Sequence, residues 1–114
     1  MSSTETPEIV VTTDDPVVAR VVRRVVEEVN PLRVVLFGSR ATGTARPDSD
    51  VDLLVVMPDG TERKEMMKRL YGRLGWADVS VDYLVTTPSV FAKDATNIGL
   101  IYPEIMRTGK NVYV

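Results

Sequence analysis

RVVLFGSRATGTARPDSDVDLLVVM, residues 33–57, is the stretch from which the fold is read. Arg33 to Phe37 is short, apolar and β-branched, and it stops at Gly38, where a sharp turn is free of the steric cost a side chain brings; it reads as a buried strand. Val51 to Met57 repeats the pattern and is closed by Pro58-Asp59-Gly60, a turn sequence. Between the two runs lie Gly38-Ser39, a ten-residue spacer and Asp50-Val51-Asp52. Side chains alternate along a strand, so Asp50 and Asp52 face one way, about 6.5 to 7 Å apart, while Val51, Leu53 and Val55 face the other.

Upstream, Val17, Val18, Val21, Val22, Val25, Val26 and Val29 come in pairs every four residues. This spacing predicts a helix from Asp15 to Val29, with Asp14 or Asp15 as N-cap, Pro16 at the first helical position and Asn30-Pro31 as the stop. The Arg and Glu residues between the valines then form a solvated face. Downstream, Met66, Met67, Leu70, Tyr71 and Leu74 mark a second amphipathic helix over 61–74, with Gly72 and Gly75 at its end. Val79 to Val85 alternates as a third strand. Short helices are expected at 88–94 and 100–107, separated by a break at 96–99 and ended by Gly109, with a last strand at 112–114. Strands and helices in this order predict an α/β (α+β) fold, a mixed sheet with helices packed on it.

The whole chain has 114 residues, 14 Lys and Arg against 16 Asp and Glu, and neither His nor Cys. This is the size of one domain, read as a loose polar tail at 1–9 and a folded unit at 10–114. Thiolate nucleophiles, imidazole bases and Cys/His metal sites are excluded, so any metal must sit on oxygen ligands. A net charge of −2 argues against stable nucleic-acid binding through a basic surface. The start MSSTETPEI shows no signal-peptide pattern and no apolar run is long enough for a membrane span, which leads to a cytoplasmic expectation.

The chemistry gathers around the aspartates. Asp82 lies between Val81 and Tyr83, so alternation turns it away from the core face its neighbours fill, and it joins Asp50 and Asp52 if their strands are close. Three carboxylates within about 5 Å repel by roughly 3 kcal/mol per pair at an effective dielectric of 20. A divalent cation removes that penalty, and two such ions serve in-line nucleotidyl transfer. The third carboxylate would take a proton from the attacking hydroxyl. Gly38 lets backbone amides approach phosphate, Ser39 adds a hydroxyl donor, and a short helix opening at Ser39 would strengthen the anion site. Arg40 and Arg46 lie on the same connection and are either phosphate contacts or surface charges.

Gly38-Ser39, the spacer, Asp50-x-Asp52 and the later Asp82 resemble the signature of the DNA polymerase β-type nucleotidyltransferase superfamily. GSRATGTARPDSDVDLLV and the closing IYPEIMRTGKNVYV resemble its minimal nucleotidyltransferases (MNT), over residues 15 to 114. The resemblance implies the polymerase β-like fold, Asp50 and Asp52 as ligands of Mg²⁺ or Mn²⁺, Asp82 as the third carboxylate, and Gly38 and Ser39 as phosphate contacts. It also implies an antitoxin that transfers AMP from ATP to a tyrosine of a HEPN-family RNase toxin.

After the third strand only about 30 residues remain, too few for a separate acceptor domain. The acceptor is therefore expected on a partner or on a second copy of the chain. Two other readings keep the same motif: modification of a small molecule such as an aminoglycoside, and a non-catalytic antitoxin that works by occlusion. Three mutually repelling carboxylates count against the last.

Overall fold

The computed structural model describes residues 9–74, 79–94 and 102–114. Helix α1 spans Pro16–Val29 and buries Val18, Val21, Val22, Val25, Val26 and Val29 on one side. Valine's lower helix propensity costs at most about 0.7 kcal/mol per residue, less than burying each side chain returns. Asp15 is the N-cap, accepting hydrogen bonds from the amides of Val17 at 2.9 Å and Val18 at 3.3 Å. Asn30, in the left-handed region at φ 47°, ends the helix and donates its N–H to the Val26 carbonyl.

The remaining elements are β1 (Arg33–Phe37), α2 (Ser39–Thr42), β2 (Val51–Val56), α3 (Arg63–Leu74), β3 (Val81–Thr86), α4 (Pro88–Asp94), α5 (Tyr102–Thr108) and β4 (Lys110–Tyr113). The four strands form one sheet in the order β3-β2-β1-β4. β1 runs antiparallel to both β2 and β4, while β2 and β3, joined through α3, are parallel. The sheet is therefore mixed, as its sequence pattern predicts.

Both faces of the sheet are covered. On one, the α1 valines and Leu70 of α3 pack against Val34, Leu36, Leu53, Val55, Tyr83 and Val85. On the other, Tyr102 and Ile105 of α5 and Phe91 of α4 pack against Val35, Phe37 and Leu54. Double coverage explains why β1 and β2 read as continuous apolar runs rather than alternating ones. Asp52 and Asp82 project from the second face, in line with Leu54 and Leu84.

Several boundaries differ from the pattern-based expectation. β4 begins at Lys110, two residues early, because Lys110 and Asn111 pair with β1 on an edge strand whose outer side chains are polar. β3 begins at Val81, although the Ser80 carbonyl already accepts a hydrogen bond from the Val51 amide at 2.9 Å. Gly72 lies in the last turn of α3. Ile9, assigned to the tail by composition, packs partly buried against the core, and the Thr12 amide bonds the Val112 carbonyl at 2.9 Å. The expected tail at 1–8, Gly75 and the break at 96–99 lie outside the described residues.

Candidate nucleotidyl-transfer site

The antiparallel β1–β2 pair and the parallel β2–β3 pair bring three chain segments to one end of the sheet: the end of β1 with Gly38, and the starts of β2 and β3. Phe37 stands opposite Asp52, and Asp52 opposite Asp82. The strand pairing on which Asp82's place depends is thus present. Asp50 immediately precedes β2 and is exposed, as is Asp82, whereas Asp52 is partly buried.

Gly38 fits here for two separate reasons. Its φ of 75° and ψ of −159° lie in a region open essentially to glycine. A β-carbon at this position would also stand 2.2 Å from Oδ2 of Asp52, well inside van der Waals contact. The backbone turn and the Asp52 carboxylate therefore occupy adjoining space, which only an absent side chain allows.

Burial, the charge of Asp82, a hydrogen bond with Asp82 and the charge of Asp50 together push the Asp52 carboxyl up to about 6. Burial and the like charges of Asp82 and Asp50 both disfavour the ionised form of Asp52, the response expected where carboxylates converge without a cation between them. Among the described residues, no group of three or more ligating side chains is gathered closely enough to cage a metal ion. Asp52 and Asp82 adjoin, and Asp50 is near enough for its charge to be felt by Asp52. The donors are all hard carboxylate oxygens, a set suited to Mg²⁺ or Mn²⁺.

Ser39 opens α2, which is only four residues long. The amides of Ala41 and Thr42 turn back to the Gly38 carbonyl at 3.0 and 3.2 Å. Among the described residues the Ser39 hydroxyl makes no hydrogen bond, which leaves it available to a ligand. The two arginines of the connection separate. Arg46 is exposed on the loop. The Arg40 side chain, only 5% exposed, is committed to protein oxygens: Asp15 Oδ2 at 2.7 Å, the Pro47 carbonyl at 2.9 Å and the Ser49 carbonyl at 3.0 Å. That geometry gives Arg40 a framework position rather than a reach toward phosphate.

Asp15 is the residue whose second role the sequence conceals. Its spacing before the valine stripe marks it as a helix cap, and nothing in the pattern links it to Arg40, 25 residues away. Burial opposes its charge, but hydrogen bonds from Arg40 and from the Val18 and Val17 amides prevail, so its carboxyl is held below the ordinary value. An apolar hollow of about 340 Å³, lined by Leu32, Val56, Pro88 and Phe91 among others, lies toward the opposite end of the sheet, away from the carboxylates.

Residues 18–101 match the nucleotidyltransferase domain family, a span that includes Gly38, Ser39 and all three aspartates. A search of curated proteins finds no significant match. Among solved structures, a toxin-antitoxin crystallised with AMP-PNP aligns with a TM-score of 0.54 at 21% identity, over 82% of this chain and 71% of that one. A provisionally assigned nucleotidyltransferase from Sulfolobus solfataricus aligns with a TM-score of 0.52 at 24% identity, over 85% of this chain and 82% of its own. At these identities the two structures speak for the fold, the mixed sheet of the polymerase β-like nucleotidyltransferases. With the family match covering most of its length, the chain belongs to the nucleotidyltransferase domain family.

Proposed function

We propose that this protein is an antitoxin that transfers AMP from ATP to a tyrosine hydroxyl of a partner HEPN-family RNase toxin and so silences it. The observation that carries the reading is the junction at one sheet end of the Gly38 turn, packed against Asp52, with the register pair Asp52 and Asp82. A glycine turn followed by a serine hydroxyl unengaged among the described residues, beside a set of repelling carboxylates, supplies the two halves a nucleotidyl-transfer site needs.

In this reading Asp50 and Asp52 hold Mg²⁺ or Mn²⁺, with Asp82 completing the set. When bound, the cation neutralises charge on the triphosphate and stabilises the entering and leaving oxygens. Asp82, exposed at the rim, accepts the proton of the attacking phenol. The Ser39 hydroxyl contacts phosphate oxygens at the Gly38 turn, and exposed Arg46 lies within the same connection. The tyrosine oxygen bonds to the α-phosphorus as the bond to the bridging oxygen breaks, and pyrophosphate leaves.

The choice of a toxin as acceptor draws on the sequence resemblance to MNT antitoxins, and a toxin-antitoxin with AMP-PNP that shares the fold points the same way. No described helix is long and apolar enough to cross a membrane, and we place the reaction in the cytoplasm. The test is intact-mass spectrometry of the cognate HEPN protein after incubation with this protein, ATP and Mg²⁺. Wild type should add adenylate to the toxin and Asp50→Asn should not. Equal neutralisation by both proteins with no added mass would establish occlusion instead. Mass added to an aminoglycoside and never to protein would establish the small-molecule reading.

A further inference from the structure

The loop between α2 and β2 delivers Asp50, yet Asp50 itself lies just outside the sheet. On its C-terminal side the chain is fixed by the ladder, beginning with the Val51 amide on the Ser80 carbonyl. On its N-terminal side the fixing comes from a side chain. Arg40 Nε donates to the carbonyl of Ser49 at 3.0 Å, and that carbonyl belongs to the peptide group whose nitrogen is Asp50. Nη2 donates to the Pro47 carbonyl at 2.9 Å, and Nη1 to Asp15 Oδ2 at 2.7 Å. A local turn reinforces the loop: the Arg46 amide donates to Ser49 Oγ at 2.8 Å, and the Ser49 amide donates to the Arg46 carbonyl at 3.0 Å.

The geometry points to Arg40 as a positioning residue for Asp50. Its guanidinium clamps the peptide before Asp50 and anchors that clamp to the N-cap of α1, so that Asp50 is presented beside Asp52 and Asp82. A planar fork with several fixed donors can serve a carboxylate and two carbonyls at once, which a lysine ammonium on a flexible stem cannot reproduce in the same geometry. Asp15 contributes in two parts, as cap through Oδ1 and as anchor through Oδ2. The inference deepens the proposed function and rests on reading Asp50 as a cation ligand.

The experiment measures Mn²⁺ binding by electron paramagnetic resonance in the presence of AMP-PNP, with circular dichroism confirming that each variant is folded. Arg40→Lys should weaken Mn²⁺ affinity about tenfold, the usual scale for losing a group that orients a metal ligand. Asp15→Asn keeps a competent N-cap and removes only the charged anchor, so it should weaken Mn²⁺ affinity by a smaller factor while the helix persists. In an Asp50→Asn background, Arg40→Lys should change affinity less than about twofold, because a residue that acts through Asp50 has nothing left to position. A folded Arg40→Lys protein with wild-type Mn²⁺ affinity would overturn the inference, as would an equal loss with and without Asp50. Wild-type affinity in Asp50→Asn alone would instead remove the ligand reading beneath it.

Discussion

Gly38 and Asp52 are a steric pair before they are a chemical one. A β-carbon at Gly38 meets both a backbone conformation closed to side chains and the Asp52 carboxylate, whereas Gly43, at φ 81°, has open space around it. Gly38→Ala should therefore cost about 3 kcal/mol or more, and Gly43→Ala only about 1 to 2 kcal/mol of backbone strain. Urea unfolding of the two variants reads the difference, and equal costs would show that Asp52 does not crowd the turn. Asp52 also makes stability depend on pH. Its folded carboxyl titrates near 6 and its unfolded one near 3.8, so the folded state binds more protons between these values. Stability from this group is present in full below pH 3.8 and is lost as pH rises through 6. Asp52→Asn should gain about 1 to 2 kcal/mol over wild type at pH 7.5, after allowance for solvent screening, and nothing at pH 3.5. Unfolding curves at both values test the sign.

The elements were legible where burial sets the pattern. The valine stripe of α1 is a helical signal strong enough to override residue preference, and Asp15, Pro16 and Asn30 bound it as their chemistry requires. β1 and β2 stand out because both faces of the sheet are covered. The ends of β3 and β4 were less legible, since edge strands carry polar residues such as Lys110 and Asn111 that no hydrophobic pattern marks. Tyr71 illustrates a second limit. Its place in the α3 stripe makes it look like core, yet it is 42% exposed, and its hydroxyl accepts a hydrogen bond from the Tyr83 amide on β3 at 3.0 Å. The two rings also meet edge to face at 5.1 Å. Tyr71→Phe should keep the ring contact and lose the hydrogen bond, costing about 1 kcal/mol by thermal unfolding. An unchanged melting temperature would mean that water replaces the hydroxyl without penalty.

Across the whole molecule, the candidate site is a product of topology. Gly38-Ser39 and Asp50-x-Asp52 are visible as a motif because the hairpin-like β1–β2 pair keeps them close in sequence. Asp82 is visible only as an alternating residue until the parallel register sets it beside Asp52. The Arg40–Asp15 anchor was not legible at all, because an arginine after Gly-Ser suggests phosphate and an aspartate before a helix suggests a cap. Roles within the site separate by substitution: Asp82→Asn should still bind MgATP and fail to transfer, whereas loss of both would make Asp82 an ordinary ligand. The central claim, that this sheet end is a cation-dependent nucleotide site, is tested most directly by thermal unfolding with MgATP and with ATP plus EDTA. At a hundredfold excess over the dissociation constant, MgATP should stabilise wild type by about 2.7 kcal/mol, with a much smaller effect when EDTA is present and in Asp52→Asn. An equal rise with EDTA, or no rise with MgATP at saturating concentration, would contradict it.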